Sequence, residues 1–317
     1  MTSAARPPLR IGTRGSPLAL AQTERVKAAL RAAHPALAPE GALETVVIRT
    51  TGDRVRDRPL AEIGGKGLFA KEIEEALLDG RIELAVHSMK DMPTRLPPAL
   101  AIAAMLPRED PRDVLLARAP SRLADLPAGA VVGTASPRRA AQVLARRPDL
   151  RAVNFRGNVG TRLAKLAAGE VDATLLALAG LRRLGLDDLR FEGVAGVVVE
   201  PDEMLPAVGQ GAIGIECRAG DGPVRALLAP IDHAPTTACV GTERALLDAL
   251  DGSCRTPIAG LAETHGGEIL LRAWTARPDG SGSLGTTRRG PVADGPRLGR
   301  DAGEELRRRA GPGFFDV

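Results

Sequence analysis

Ile11-Gly12-Thr13-Arg14-Gly15-Ser16-Pro17, running on to Ala21-Gln22, returns about 120 residues later as Val132-Gly133-Thr134-Ala135-Ser136-Pro137, running on to Ala141-Gln142. In both stretches an apolar run ends in a turn of small residues, and Ser-Pro opens a helical pattern. Ser is a preferred N-cap, and Pro is favoured at the first helical position. Each turn carries arginine at or just inside the helix start: Arg14 in the first, Arg138 and Arg139 in the second. A helix N-terminus presents unpaired N–H groups and the positive end of the macrodipole. Guanidinium groups placed there make an anion site. Two such sites in matched segments point to a ligand with several negative charges.

The match continues downstream. Gly80 to Val86 reads as a turn and a buried strand, and Gly169 to Leu176 has the same shape. Each follows a glycine-containing loop and a short helix. The first pair is Gly64-Gly65-Lys66-Gly67 with a helix over 68–78; the second is Arg156-Gly157-Asn158-Val159-Gly160 with a helix over 161–168. Glu44–Arg49 reads as a strand, and 50–63 as a charged loop beside it. Strands alternating with helices predict an α/β fold of two doubly wound, mostly parallel lobes. Such sheets bind ligands beyond the carboxyl ends of their strands, where these motif loops fall. From about 225 the texture changes: a helix over 237–250, strands over 258–263 and 268–275, a Gly/Ser/Pro-rich hairpin region and a last helix over 302–310. This predicts a small α+β domain. The expected division is 1–106 with 207–224 as lobe 1, 107–206 as lobe 2, and 225–317 as the C-terminal domain.

Composition excludes several classes. No apolar run approaches the ~18 residues of a membrane span, and residues 1–8 lack the apolar core of a signal peptide. A cytoplasmic protein is expected. The cysteines Cys217, Cys239 and Cys254 are odd in number and form no CxxC, which argues against a disulfide framework and against a zinc or other metal site. Net charge is +4, with arginine supplying 38 of the 43 basic residues. Aromatic residues are 2% of the chain and tyrosine is absent, so the stacking platforms of single-stranded nucleic-acid binders are missing. The P-loop pattern is also missing, and Gly64-Gly65-Lys66-Gly67 alone does not make a phosphate transferase.

Two further places carry chemistry. The strand over 82–86 runs into His87-Ser88-Met89-Lys90-Asp91-Met92-Pro93, where a lysine and a carboxylate meet at a strand end closed by proline. Asp91 there could equally cap a turn. Cys254 lies in Gly252-Ser253-Cys254-Arg255-Thr256-Pro257, and Arg255 beside it favours thiolate. Cys217 and Cys239 have the apolar neighbours usual for buried thiols.

In order along nearly the whole chain, Leu9–Gln22, Gly64–Glu74, Glu83–Pro93, Gly133–Arg139, Arg156–Arg162, Leu178–Leu186, Ala207–Arg218 and Gly252–Pro257 resemble the porphobilinogen deaminase family. HSMKD at 87–91, FRGNVGTRL at 155–163 and AVGQGAIGIECR at 207–218 are its most specific stretches. The resemblance implies two lobes like those of type II periplasmic binding proteins, an active site in the cleft between them, and a third domain. That third domain carries a cysteine thioether-linked to a dipyrromethane cofactor, and the matching residue is Cys254. It implies a transferase that adds four porphobilinogen units head to tail, with loss of ammonia, and releases hydroxymethylbilane for tetrapyrrole and haem biosynthesis. Asp91 matches the catalytic aspartate. The cofactor-binding matches are Arg14, Ser16, Lys90, Asp91, Thr134, Ser136, Arg138, Arg139 and Arg162. The substrate-binding matches are Arg14, Arg156, Arg162 and Arg183, with Lys66 and Phe69 near the cleft. The implied partner is porphobilinogen, with no nucleic acid or membrane and a monomeric chain.

The chemistry agrees with the resemblance. Each pyrrole ring carries an acetate and a propionate, so primer and product bring about a dozen carboxylates to one site, each costly to bury unpaired. Bidentate arginines at helix starts supply the partners. A fixed carboxylate at Asp91 steadies the cationic pyrrole left when ammonia departs. The alternative is a two-lobed binding protein for a polycarboxylate, against which the third domain and the Cys254 loop count.

Overall fold

The structure, a computed structural model, describes residues 7–54, 69–119, 121–252 and 256–315. Among these the strands are β1 (Leu9–Thr13), β2 (Leu43–Val47), β3 (Leu84–Ser88), β4 (Leu100–Met105), β5 (Asp113–Ala117), β6 (Val131–Gly133), β7 (Arg151–Val153), β8 (Ala173–Ala177), β9 (Arg190–Phe191), β10 (Val194–Val199), β11 (Ile213–Arg218), β12 (Ile258–His265), β13 (Glu268–Thr275) and β14 (Leu284–Pro291). The helices are α1 (Pro17–Ala33), α2 (Thr51–Arg54), α3 (Lys71–Leu78), α4 (Pro137–Arg146), α5 (Val159–Ala167), α6 (Leu178–Arg183), α7 (Gly222–Leu228), α8 (Ala234–Ala249) and α9 (Gly295–Ala310). The architecture is mixed α/β, with two sheet lobes and a small C-terminal domain.

Contacts divide the chain into two compact units. The first holds residues 7–54, 69–108 and Ala212–Thr237 of the described chain; the second holds Glu109–Gly211 and the described residues from 238 on. In the first unit the sheet order is β2-β1-β3-β11-β4. Ile11, Leu84, Val86 and Ile215 pack on Val26 and Leu30 of α1, while Ile82 and Ala85 on the other face meet Ile73 and Leu77 of α3. A helix stripe of Val26 and Leu30 four residues apart presents one apolar face, which is why α1 lies flat on the sheet.

In the second unit the first sheet runs β7-β6-β8-β5-β10-β9. β5 is buried at every position, as a strand covered on both faces must be. The remaining sheet is β12-β13-β14, all antiparallel. Along β13, Ile269, Leu271 and Ala273 alternate inward onto Leu246 of α8 and Leu298, Ala302 and Leu306 of α9, the two-residue period of a sheet with one wet face.

The expectation of mostly parallel sheets needs correction. Parallel pairing holds in β2-β1-β3 and in β7-β6-β8, the same order in both lobes. Beyond β3 and β8 the pairing is antiparallel: β11 lies reversed between β3 and β4, and β5 lies reversed between β8 and β10. Both reversed strands are the ones the chain contributes on entering from the other unit. No βα crossover within the lobe constrains their direction, so the right-handed crossover rule does not act on them.

Element ends differ in three places. The last helix begins at Gly295, well before residue 302 where its apolar pattern suggests. Its first turns carry Gly295, Gly299 and Gly303, which read locally as loop; a Cβ at Gly299 would lie 2.2 Å from the Thr242 carbonyl oxygen, so glycine lets α9 approach α8 closely. The hairpin region holds the full strand β14, whose Gly, Thr and Arg residues conceal a half-buried alternation. Residues 51–54, placed in a loop, form α2; the rest of the 50–63 loop and Gly64-Gly65-Lys66-Gly67 lie outside the described residues. No helix among the described residues is long and apolar enough to cross a membrane.

Candidate active site

The first unit gathers its site residues where β1 and β3 end. Ser16 caps α1, its hydroxyl accepting from the Ala19 N–H at 3.2 Å, with Pro17 at the first helical position. The Arg14 guanidinium, in the turn before it, lies over the Phe69 ring with its carbon 4.0 Å from the ring centre. The Gln22 side-chain amide and the Ser88 hydroxyl are 2.8 Å apart, tying α1 to the end of β3. From Ser88 the backbone makes one 3-10 turn, Met89–Asp91, closed by the Met92 N–H to the Met89 carbonyl at 3.3 Å. That turn leaves Asp91 exposed and Lys90 half-buried. Arg14, Ser16, Gln22, Phe69, His87, Ser88 and Asp91 line one concavity. Sequence reasoning placed Arg14, Ser16, Phe69 and Asp91 at one site, and within this unit the structure brings them together.

Next to Ser88 lies a buried His–Glu contact the sequence did not show. His87 Nε2 is 3.0 Å from Glu216 Oε2, on adjacent strands β3 and β11. Burial, and next to it Glu216, pushes the Glu74 carboxyl up, with His87 opposing.

The second unit repeats the first motif and adds charge. Ser136 caps α4, accepting from the Arg139 N–H at 3.5 Å, and Thr134 Oγ1 accepts from the Ser136 N–H at 3.1 Å. Arg138 and Arg139 do not project outward as simple anion donors: they are 4% and 6% exposed. Their Nη2 groups donate to the two oxygens of Asp113 at 2.8 and 2.7 Å. The other Nη groups donate to the carbonyls of Leu205 and Leu175. The Nε atoms of both are buried with no hydrogen-bond partner among the described residues. Asp113, absent from the sequence candidates, is the one acidic residue of an otherwise apolar strand, which was the available signal.

Arg162 sits in the first turn of α5, whose N-cap Asn158 accepts from the Thr161 N–H at 2.8 Å. Its Nε donates to the Gly157 carbonyl at 2.9 Å, and no carboxylate among the described residues pairs with it. Burial first, and then Arg139 and Arg156, push its guanidinium down to about 10. A guanidinium disfavoured first by burial and then by two neighbouring arginines sits where an incoming anion would stabilise it. Arg156 is half-buried in the loop before α5. Arg183, at the end of α6, donates from Nη2 to the Gly211 carbonyl at 2.5 Å. Lys66 and Cys254 lie outside the described residues. Cys217 and Cys239 are buried and not joined in a disulfide, and among the described residues no cluster of His, Cys, Asp and Glu is arranged to hold a metal. A larger cavity of about 350 Å³ lies at the opposite end of β6 and β8, between Ala117, Arg118, Gly129 and Asp172. It contains no sequence-predicted site residue.

The donor set suits a polyacid. Arg162 without a carboxylate, and buried Nε atoms without acceptors on Arg138 and Arg139, are what carboxylates of a dipyrromethane would satisfy.

Comparison with known proteins gives the same answer. Residues 9–226 match the family model described as porphobilinogen deaminase, dipyromethane cofactor binding domain, and residues 237–308 match the porphobilinogen deaminase C-terminal domain. The chain is 56% identical over 309 residues to the porphobilinogen deaminase of Paracoccus denitrificans (strain Pd 1222), covering 98% of this chain and 96% of that one. It is 54% identical over 311 residues to the chloroplastic porphobilinogen deaminase of Oryza sativa subsp. japonica (97% and 86% covered), and 54% identical over 312 residues to that of Pisum sativum (97% and 83%). With two matched domains in order, high identity along nearly its full length, and an arginine cluster in want of carboxylates, the chain belongs to the porphobilinogen deaminase family.

Proposed function

We propose that Asp91, Cys254 and the arginines of both units carry out the family's reaction in this chain, each in a distinct role. The enzyme is a porphobilinogen deaminase of tetrapyrrole biosynthesis with a dipyrromethane cofactor. The cofactor supplies the primer to which porphobilinogen is joined, and Cys254 is its anchor, not a nucleophile of turnover. Overall, the aminomethyl C–N bond of each incoming unit breaks, a C–C bond to the terminal ring forms, and the displaced ring proton leaves with ammonia as ammonium. Four such steps and hydrolysis give hydroxymethylbilane.

Asp91 stands on a rigid turn with its carboxylate open to the concavity. It stabilises positive charge on the substrate as ammonia leaves and accepts hydrogen bonds from pyrrole N–H groups. Arg14, Ser16 and Lys90 in the first unit, and Thr134, Ser136, Arg138, Arg139, Arg156, Arg162 and Arg183 in the second, hold the acetate and propionate groups. Lys66 and Phe69 assist substrate binding. The observation that carries this reading is Arg162, partly buried, close to Arg139 and Arg156, and unmatched by any carboxylate among the described residues. A polycarboxylate-binding protein without turnover needs the same arginines but not Asp91 on its turn.

The division into lobe 1 (1–106 with 207–224), lobe 2 (107–206) and a C-terminal domain (225–317) is part of the proposal; a separate apolar core on each sheet favours three parts, while Leu228 and Ile231 in the core of the first carry lobe 1 past residue 224. Cytoplasmic, monomeric operation on porphobilinogen, without nucleic acid, completes the proposal. Intact mass of the purified chain, before and after brief incubation with porphobilinogen, tests it. A resident adduct followed by gains of one ring at a time is the expected result; sequence mass alone, unchanged by substrate, refutes it.

A further inference from the structure

Asp113 is the meeting point of three parts of the second unit. It opens β5 and is fully buried. Its Oδ1 accepts from Arg139 Nη2 and from Gln210 Nε2, both at 2.7 Å, and its Oδ2 accepts from Arg138 Nη2 at 2.8 Å. Gln210 reaches it from the segment that leads back to the first unit in sequence, and also donates to the Pro111 carbonyl at 2.7 Å. Burial alone would push the Asp113 carboxyl up, but Arg138, Arg139 and the hydrogen bonds from Arg139 and Gln210 outweigh it and hold it well below the usual aspartate range. It is therefore ionised at neutral pH, and neutralises one charge of an arginine group that also includes Arg156 and Arg162.

We propose that Asp113 is a positioning residue for the cofactor: a resident carboxylate that holds Arg138 and Arg139 in their binding geometry before any pyrrole carboxylate arrives. The proposal rests on the function assigned above. Two buried guanidiniums without a counter-ion would oppose folding of the empty chain. With Asp113 between them, each is fixed through Nη2, steadied through Nη1 by a backbone carbonyl, and left with an unused buried Nε. Donors fixed in advance lose little conformational freedom on binding, and this raises affinity without adding a contact. One internal carboxylate also leaves the group short of negative charge, so the site stays selective for acidic ligands.

The test uses the purified full chain with Asp113→Asn, Asp113→Glu and Gln210→Leu. Intact mass reads the fraction carrying the dipyrromethane, and steady-state rates on the loaded fraction separate KM from kcat. Asp113→Asn should fold by circular dichroism yet lose roughly tenfold in loaded fraction or in KM, while kcat of the loaded enzyme changes little; Asp113→Glu should recover part of the loss. Folded Asp113→Asn with wild-type loading and KM overturns the proposal, because a merely structural carboxylate would lower stability alone. Should Asp113→Asn fail to fold, Gln210→Leu decides: it leaves the carboxylate and both arginine bonds but removes one of the two hydrogen bonds to Oδ1, so reduced loading supports the proposal and unchanged loading overturns it. Wild-type chain that gains no rings from porphobilinogen defeats the assigned function itself, an outcome separate from any difference between the variants.

Discussion

The Arg14 guanidinium rests on the face of Phe69, 4.0 Å from the ring centre, so the first arginine of the duplicated motif is aimed by an aromatic side chain from outside that motif. A cation–π contact of this kind contributes about 0.5–2 kcal/mol. Phe69→Leu keeps the apolar volume and removes the ring. KM for porphobilinogen should rise about threefold to tenfold, with kcat and the melting temperature nearly unchanged. Steady-state kinetics alongside a thermal melt check this, and an unaltered KM shows that Arg14 needs no such support.

Asp91 is exposed and makes its turn through backbone atoms. Its removal should therefore leave stability within about 0.5 kcal/mol of wild type. Loss of an electrostatic stabiliser at developing charge should lower kcat by about 10²-fold or more. Asp91→Ala, assayed for ammonia release with a parallel melt, gives both numbers; near-normal turnover removes Asp91 from the chemistry.

Cys254→Ala should give a chain with its sequence mass alone and no colour with Ehrlich's reagent. Cys217 and Cys239 are buried, and burial pushes the Cys217 thiol up, away from the reactive thiolate form. Neither should take over as anchor, and a labelled peptide containing either one contradicts the assignment.

Arg162 is held at about 10 by burial and by Arg139 and Arg156. In the unloaded Cys254→Ala chain, Arg162→Leu should therefore raise the melting temperature, because a charge disfavoured by its surroundings is gone. In the Cys254 chain the same substitution should reduce cofactor loading, and Arg162→Lys should restore it only in part, since the bidentate fork is lost. A lower melting temperature in the unloaded background means the cluster is neutralised internally.

Acid should destabilise the fold through Asp113 and Glu305. Asp113 is held below its ordinary range as described, and Glu305 is held at about 2 by hydrogen bonds from Arg288, Arg309 and Thr286. The unfolded chain takes up protons at these groups near pH 4, where the folded chain does not. Their stabilisation is present above that pH and is lost as pH falls below it. Urea unfolding between pH 5 and about 2.5 should show the decline, and Glu305→Gln should flatten part of it.

Both helix starts were legible because their signals are local. Ser16 and Ser136 bond to N–H groups three residues on, and Pro17 and Pro137 restrict their own φ, so a few neighbouring residues carry the whole instruction. Asp91 and Cys254 came from short motifs, and the α/β alternation came from apolar periodicity. The reversed strands β11 and β5 were not legible: their slots depend on where the chain returns after another unit. α9 looked like a loop over its first turns because its glycines answer to a helix some fifty residues away.

Residue types and their spacing, acting over a few positions, fixed two matched serine-capped helix starts and a turn at a strand end that carries an aspartate, and pointed to a small third domain. Folding across long separations established the rest: that Arg138 and Arg139 share a buried carboxylate, that Gln210 joins them 97 residues from Asp113, and that Arg162 has no carboxylate partner among the described residues. Caps and turns are set by bonds between near neighbours. The charge balance of a buried cluster exists only once distant segments have excluded water from it, because water otherwise solvates and screens each charge separately.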